Sequence, residues 1–116
     1  MKITYCRVIT EYRTHFLDPL KLRKNEMVQT EKKESEWQGW IWCITKNGKE
    51  GWVPKNYLEI QGKSARLLLD YDATELNVDV GEKLEIEKEE SGWIWVTNEK
   101  NKQGWIPLEN VEVVDH

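Results

Sequence analysis

Apolar and polar residues alternate with a period of two in several segments of this chain. Val28 and Thr30 alternate with Gln29 and Glu31, and Leu84 and Ile86 with Glu85 and Glu87. That period puts one face of a strand in a core and the other in water. No segment carries a helical period. The strands are short and separated by Gly and Asn turns, which predicts an all-β barrel or sandwich. Asn47-Gly48, between Ile44-Thr45 and Trp52-Val53, is a hairpin signal. The corresponding turn, Asn98 to Lys102, has no glycine, and Asn101 is expected to supply the positive φ there.

The pattern also repeats. Gly39-Trp40-Ile41-Trp42-Cys43-Ile44 is answered by Gly92-Trp93-Ile94-Trp95-Val96-Thr97, and Gly51-Trp52-Val53-Pro54 by Gly104-Trp105-Ile106-Pro107. Cys6-Arg7-Val8 aligns with Ala65-Arg66-Leu67, Asn25-Glu26 with Gly81-Glu82, and Leu58-Glu59-Ile60 with Val111-Glu112-Val113. The first copy carries two insertions, after Tyr12 and between Val28 and Trp40, as surface loops tolerate. This is a duplication of a unit the size of a small domain. The expected domains are 1–61 and 64–116, joined by the linker Gln61-Gly62-Lys63-Ser64.

Charge separates the copies. Residues 1–62 hold 11 Lys/Arg against 8 Asp/Glu, whereas residues 63–116 hold 6 against 13. The acidic second copy argues against nucleic acid as a partner. No apolar run is long enough to span a bilayer and no signal peptide is visible, so the expected location is cytoplasmic, away from membranes. Cys6 and Cys43 align with Ala65 and Val96 and are expected to be buried reduced thiols. His15 and His116 lack companions at ligand spacing, so no metal and no cofactor is expected. No nucleophile–base set or phosphate loop appears, which argues against an enzyme.

Each half resembles a Src-homology-3 (SH3) domain of the prokaryotic kind. The likeness rests on Leu67-Leu68-Leu69-Asp70-Tyr71, on Gly81-Glu82, and on Trp40, Gly51-Trp52-Val53-Pro54 and Lys55-Asn56-Tyr57-Leu58 in that order. The resemblance implies two tandem SH3-like β-barrels and a groove for extended, proline-containing or basic peptide segments. The positions matching that groove are Tyr12, Trp40, Pro54 and Tyr57 in the first copy, and Tyr71, Trp93 and Pro107 in the second. Thr10 and Leu69 replace one family tyrosine, and Asn110 replaces another. Parallel aromatic ridges suit a preformed polyproline helix. The resemblance also implies groove acids, Asp18, Glu34 and Glu36 in the first copy and Asp72 and Glu75 in the second. Trp37 and Phe16 lie on loops beside that groove. With three rings against two, the first barrel is the expected binder.

Trp42 and Trp95 extend the outward face and are candidates for an interdomain or dimer contact, and Trp52 and Trp105 read as structural. The expected function is a non-enzymatic module binding a protein or peptide partner, as a monomer or weak homodimer. The competing reading is a scaffold whose aromatic faces pack between domains or subunits.

Overall fold

A computed structural model describes residues 3–14, 19–32 and 39–114. The groove candidates Asp18, Glu34, Glu36, Trp37 and Phe16 lie outside them. The described residues form an all-β chain with two short 3-10 turns, Lys55–Tyr57 and Leu108–Asn110. Its strands are β1 (Thr4–Val8), β2 (Lys21–Leu22), β3 (Met27–Glu31), β4 (Trp40–Ile44), β5 (Glu50–Pro54) and β6 (Leu58–Gln61). They continue with β7 (Ser64–Leu67), β8 (Tyr71–Asp72), β9 (Lys83–Glu90), β10 (Trp93–Thr97), β11 (Gln103–Pro107) and β12 (Val111–Val114).

The chain divides into two compact units, and they do not follow the repeat boundaries. One unit is Met1–Leu17 with Thr74–His116; the other is Asp18–Ala73. In the first, a sheet runs β11-β10-β9-β1-β12. In the second, a sheet runs β5-β4-β3-β7-β6, with β2 and β8 paired beside it. The first strand of each repeat therefore completes the barrel of the other. Cys6 lies opposite Leu84 and Val113, both from the second repeat. Ala65 lies opposite Val28 and Ile60, both from the first.

The segment expected to link two domains is instead a hairpin turn. Gln61 pairs with Ser64, and Gly62 takes φ +64° between them. A turn this short makes β6 and β7 immediate partners at almost no loop-closure cost. Once β7 is zipped onto β6, it fills the place beside β3 that β1 would fill in a self-contained first repeat. The β1 strand then takes the matching place between β9 and β12. The Asp18–Ala73 barrel is thus continuous in sequence, and the other barrel is interrupted by it.

The exchange costs the cores little, because the exchanged residues match. Cys6 and Val8 are 0% and 1% exposed, and Ala65 and Leu67 are each 0% exposed. In the discontinuous unit, Cys6 and Val8 pack with Val78, Leu84, Ile94, Val96 and Ile106. The turns behave as their sequences dictate. Gly48 takes φ +82° in its hairpin, and Asn101 takes φ +60° in the glycine-free one. The Asn98 carboxamide supports that turn, accepting the backbone N–H groups of Lys100 and Lys102 at 2.9 and 3.0 Å.

Both cysteines are free and buried. Burial pushes the Cys6 thiol up to about 11 and the Cys43 thiol to about 12, from an ordinary value of about 8.5. Because the folded pKa values are raised, the stability these neutral thiols contribute is complete below the ordinary thiol range. It is lost as pH climbs from that range toward the raised values. At pH 8 the native chain is expected to resist Ellman's reagent, with both thiols reacting after unfolding in guanidinium. Rapid reaction of the native chain would refute the burial.

Candidate functional site

The strand exchange redistributes the groove candidates. Tyr12 lies in the discontinuous unit, with Trp93, Pro107 and Glu75 of the second repeat. Tyr71 lies in the continuous unit, with Trp40, Pro54 and Tyr57 of the first. Each collection of groove positions therefore draws on both repeats.

In the discontinuous unit, Trp93 opens β10 and lies opposite Pro107 of β11 and Glu90 of β9. The Tyr12 ring stands edge-on to Trp93, with centroids 5.8 Å apart and planes at 84°. Both rings are only partly buried. Tyr12 is held by an antiparallel bridge to Val78, with N–H···O bonds of 3.0 Å in both directions. Its hydroxyl donates to Glu75 Oε1 at 2.5 Å. Burial, this hydrogen bond and the Glu75 charge together raise the phenol well above its usual range. Arg13 donates to the Val78 carbonyl at 2.8 Å and pairs with Asp79, which fixes the arm that carries Tyr12. Asn110, at the position of the missing family tyrosine, donates to the carbonyls of Thr10 and Glu11, each at 3.2 Å. It ties the arm down where a ring would have extended the groove. Glu90 escaped the sequence reading, and the only signal for it is its register opposite Trp93. The Glu75 carboxylate thus meets one of two half-buried rings and Glu90 lies in register with the other, in a unit holding 7 Lys/Arg against 12 Asp/Glu.

The continuous unit brings more rings together but leaves them less open. Trp40 lies opposite Pro54, and Tyr57 meets Tyr71 edge-on at 5.5 Å. Trp40, Tyr57 and Tyr71 are 8%, 5% and 5% exposed, and Pro54 is buried. The Tyr71 hydroxyl donates to the Trp52 carbonyl at 3.1 Å, which commits it to the barrel's own backbone. These rings are thus nearly closed to solvent, whereas Tyr12 and Trp93 are half-buried.

Trp42 and Trp95 each pack on a cross-strand tryptophan of their own unit. Trp42 meets Trp52 at 5.0 Å and 77°, and Trp95 meets Trp105 at 5.5 Å and 72°. Trp105 is 2% exposed, in keeping with a structural role. Among the described residues, no group of His, Cys, Asp and Glu could hold a metal ion, and no helix is long and apolar enough to cross a membrane.

The chain is similar to known proteins on both repeats. The family model described as variant SH3 domain matches residues 5–61 and again 66–114. An SH3 and F-BAR domain-containing protein of Dictyostelium discoideum is 25% identical over 124 aligned residues, covering 93% of this chain and 23% of that protein. Myosin-1 of Mycosarcoma maydis is 44% identical over 41 residues, 35% of this chain and 3% of that protein. The chain spans less than a quarter of either relative, and both come from eukaryotes rather than from the prokaryotic branch expected above. No solved structure matches it significantly. With two matches that together cover nearly all of its length, the chain belongs to the SH3 domain family, whose members are non-enzymatic protein-interaction modules.

Proposed function

We propose that this chain binds an extended, basic and proline-containing segment of a protein partner on the face formed by Tyr12, Trp93 and Pro107. The observation that carries the reading is the half-open Tyr12–Trp93 ring pair with the Glu75 carboxylate fixed 2.5 Å from the phenol oxygen. The rings offer large apolar area with few rotors. Glu75 and Glu90 supply the charge that orients a basic residue beside the proline, in the manner of the family's groove. Free, buried thiols fit a partner met in the reducing cytoplasm.

The test is titration of the whole chain with a proline-rich peptide carrying one arginine. Trp93→Ala is expected to weaken binding by about 2 kcal/mol or more, as for aromatic hot spots. Trp40→Ala, at a ring already 8% exposed, should instead lower the melting temperature of the continuous unit and leave affinity nearly unchanged. The reverse result would move the groove to Trp40, Pro54, Tyr57 and Tyr71. The burial of Trp40, Tyr57 and Tyr71 favours a second reading for the continuous unit, in which its rings serve packing rather than ligand capture.

A further inference from the structure

The hairpin that closes β4 onto β5 carries a reactive pair that the peptide groove does not use. Asn47 is followed by Gly48, and every other asparagine of the chain is followed by a residue with a side chain. Asn47 and Gly48 are both exposed. Gly48 takes φ +82°, and its N–H donates to the Thr45 carbonyl at 2.9 Å. Below the tip, the Thr45 N–H donates to the Lys49 carbonyl at 2.8 Å and the Lys49 N–H to the Thr45 hydroxyl at 3.1 Å. Nothing lies within 4 Å of the point where a side chain at Gly48 would begin, so water and hydroxide reach this peptide unit.

The charges around the pair favour loss of a proton from its backbone. Lys46 and Lys49 flank it, and Asn47 lines a surface cavity with Lys21, Lys49 and Glu26. Glu50 opens β5. Three ammonium groups against two carboxylates leave a positive local field, which lowers the cost of ionising an amide nitrogen. The sister hairpin is built differently. The Asn98 carboxamide is committed to the backbone N–H groups of Lys100 and Lys102. Asn101 is followed by Lys102, whose side chain crowds the nitrogen that would attack.

We propose that Asn47 is a site of spontaneous self-modification in the folded chain. The Gly48 nitrogen gives its proton to hydroxide and bonds to Asn47 Cγ. The Cγ–Nδ2 bond breaks, and ammonia leaves a succinimide. Water then adds to one or the other ring carbonyl and opens the ring to aspartate or isoaspartate. The Thr45 hydrogen bond opens first, and at an exposed turn tip that opening is a local event rather than unfolding. Either product places a carboxylate among the lysines of this hairpin. Isoaspartate also lengthens the backbone of the turn that sets Ile44 opposite Glu50, so its build-up should lower the melting temperature of the continuous unit. The site does not depend on peptide binding at Tyr12 and Trp93.

The test is ageing of the whole folded chain at pH 6 and at pH 8, followed by cleavage after glutamate and mass spectrometry. The peptide 37–50 holds a single asparagine, Asn47. It is expected to exchange its amide for an acid, faster at pH 8, and to give two products of equal mass. Asn98 and Asn101 should keep their amides in the same sample. In Gly48→Ala the Asn47 amide should persist, because the added methyl hinders approach of the nitrogen to Cγ. Retention of the Asn47 amide in the folded chain would overturn the proposal, and its loss after unfolding in guanidinium would then identify the Thr45 bond as the guard. Equal loss at Asn98 or Asn101 would overturn it as well.

Discussion

Leu67→Ala is expected to destabilise the barrel that contains Trp40, Trp42 and Trp52, and to leave the barrel of Trp93, Trp95 and Trp105 standing. Leu67 belongs by sequence to the second repeat. By pairing it belongs to the continuous unit, where it is fully buried opposite Leu58. Its N–H donates to the Glu26 carbonyl at 2.9 Å, and its carbonyl accepts from Asn25 at 2.7 Å. Truncating a buried leucine costs about 2–5 kcal/mol. A barrel of this size holds only about 3–8 kcal/mol in total, so most of its stability is at stake. The measurement is a urea titration followed at the indole N–H resonances of those six tryptophans, out of seven in the chain. Val8→Ala should act on the opposite set, more weakly, because it removes less apolar volume. If Leu67→Ala releases Trp93, Trp95 and Trp105 first, each repeat keeps its own first strand and the exchange is refuted.

The exchange marks where sequence reading reaches its end. The class of fold was legible, because period-two patterning and paired Gly-Trp motifs have few other solutions. The glycine-free hairpin was legible down to Asn101, because few residues tolerate its backbone. The partner of each first strand was not. Cys6-Arg7-Val8 and Ala65-Arg66-Leu67 present small and aliphatic residues at the same inward positions, so either fits either barrel. Only the two-residue turn at Gly62-Lys63 discriminates, and it reads equally well as a short linker. The ring exposures were not legible either. A pattern shows that Trp40 alternates with Ile41, but what lies over the ring is a tertiary fact. The position of Lys88 opposite Trp95 depends on a bulge in the β9–β10 register, and an extra residue between two strands leaves no mark in a repeat alignment.

These two outcomes bear on the candidate site in different ways. Tyr12 was identified as a groove residue, but with Trp40 rather than with Trp93. Glu75 was identified as a weaker groove acid, yet it is the carboxylate that the phenol engages. The residue types were readable because aromatic and acidic side chains announce their chemistry. Their grouping was not, because it follows which unit each first strand joins, β1 with the second repeat and β7 with the first.

Gly104→Ala carries the second large effect, and it joins the stability of the discontinuous unit to its groove. A Cβ at Gly104 would lie 2.7 Å from the Leu76 backbone nitrogen and 2.9 Å from the Glu75 carbonyl carbon. Those backbone atoms cannot swing aside, because the segment is clamped to β11. Trp105 N–H donates to the Thr74 carbonyl at 2.9 Å, and Leu76 N–H donates to the Trp105 carbonyl at 3.2 Å. The added methyl must push residues 74–76 off the sheet, an overpacking cost of about 1–3 kcal/mol. At the equivalent Gly51, the Cβ would meet only Leu20 side-chain atoms, at 2.9 and 3.1 Å, and that side chain can turn. Gly51→Ala is therefore expected to cost clearly less in the same denaturant titration. The displaced segment also carries Glu75 away from the Tyr12 hydroxyl. Since the Glu75 hydrogen bond and charge help to hold the phenol above its ordinary range, its ionisation should fall back toward that range in Gly104→Ala. An ultraviolet titration of the phenols, with Tyr12→Phe to assign the signal, reads that shift. Equal stability losses at the two glycines, or an unmoved Tyr12 titration, would show that the 74–76 segment is not clamped to β11 as described.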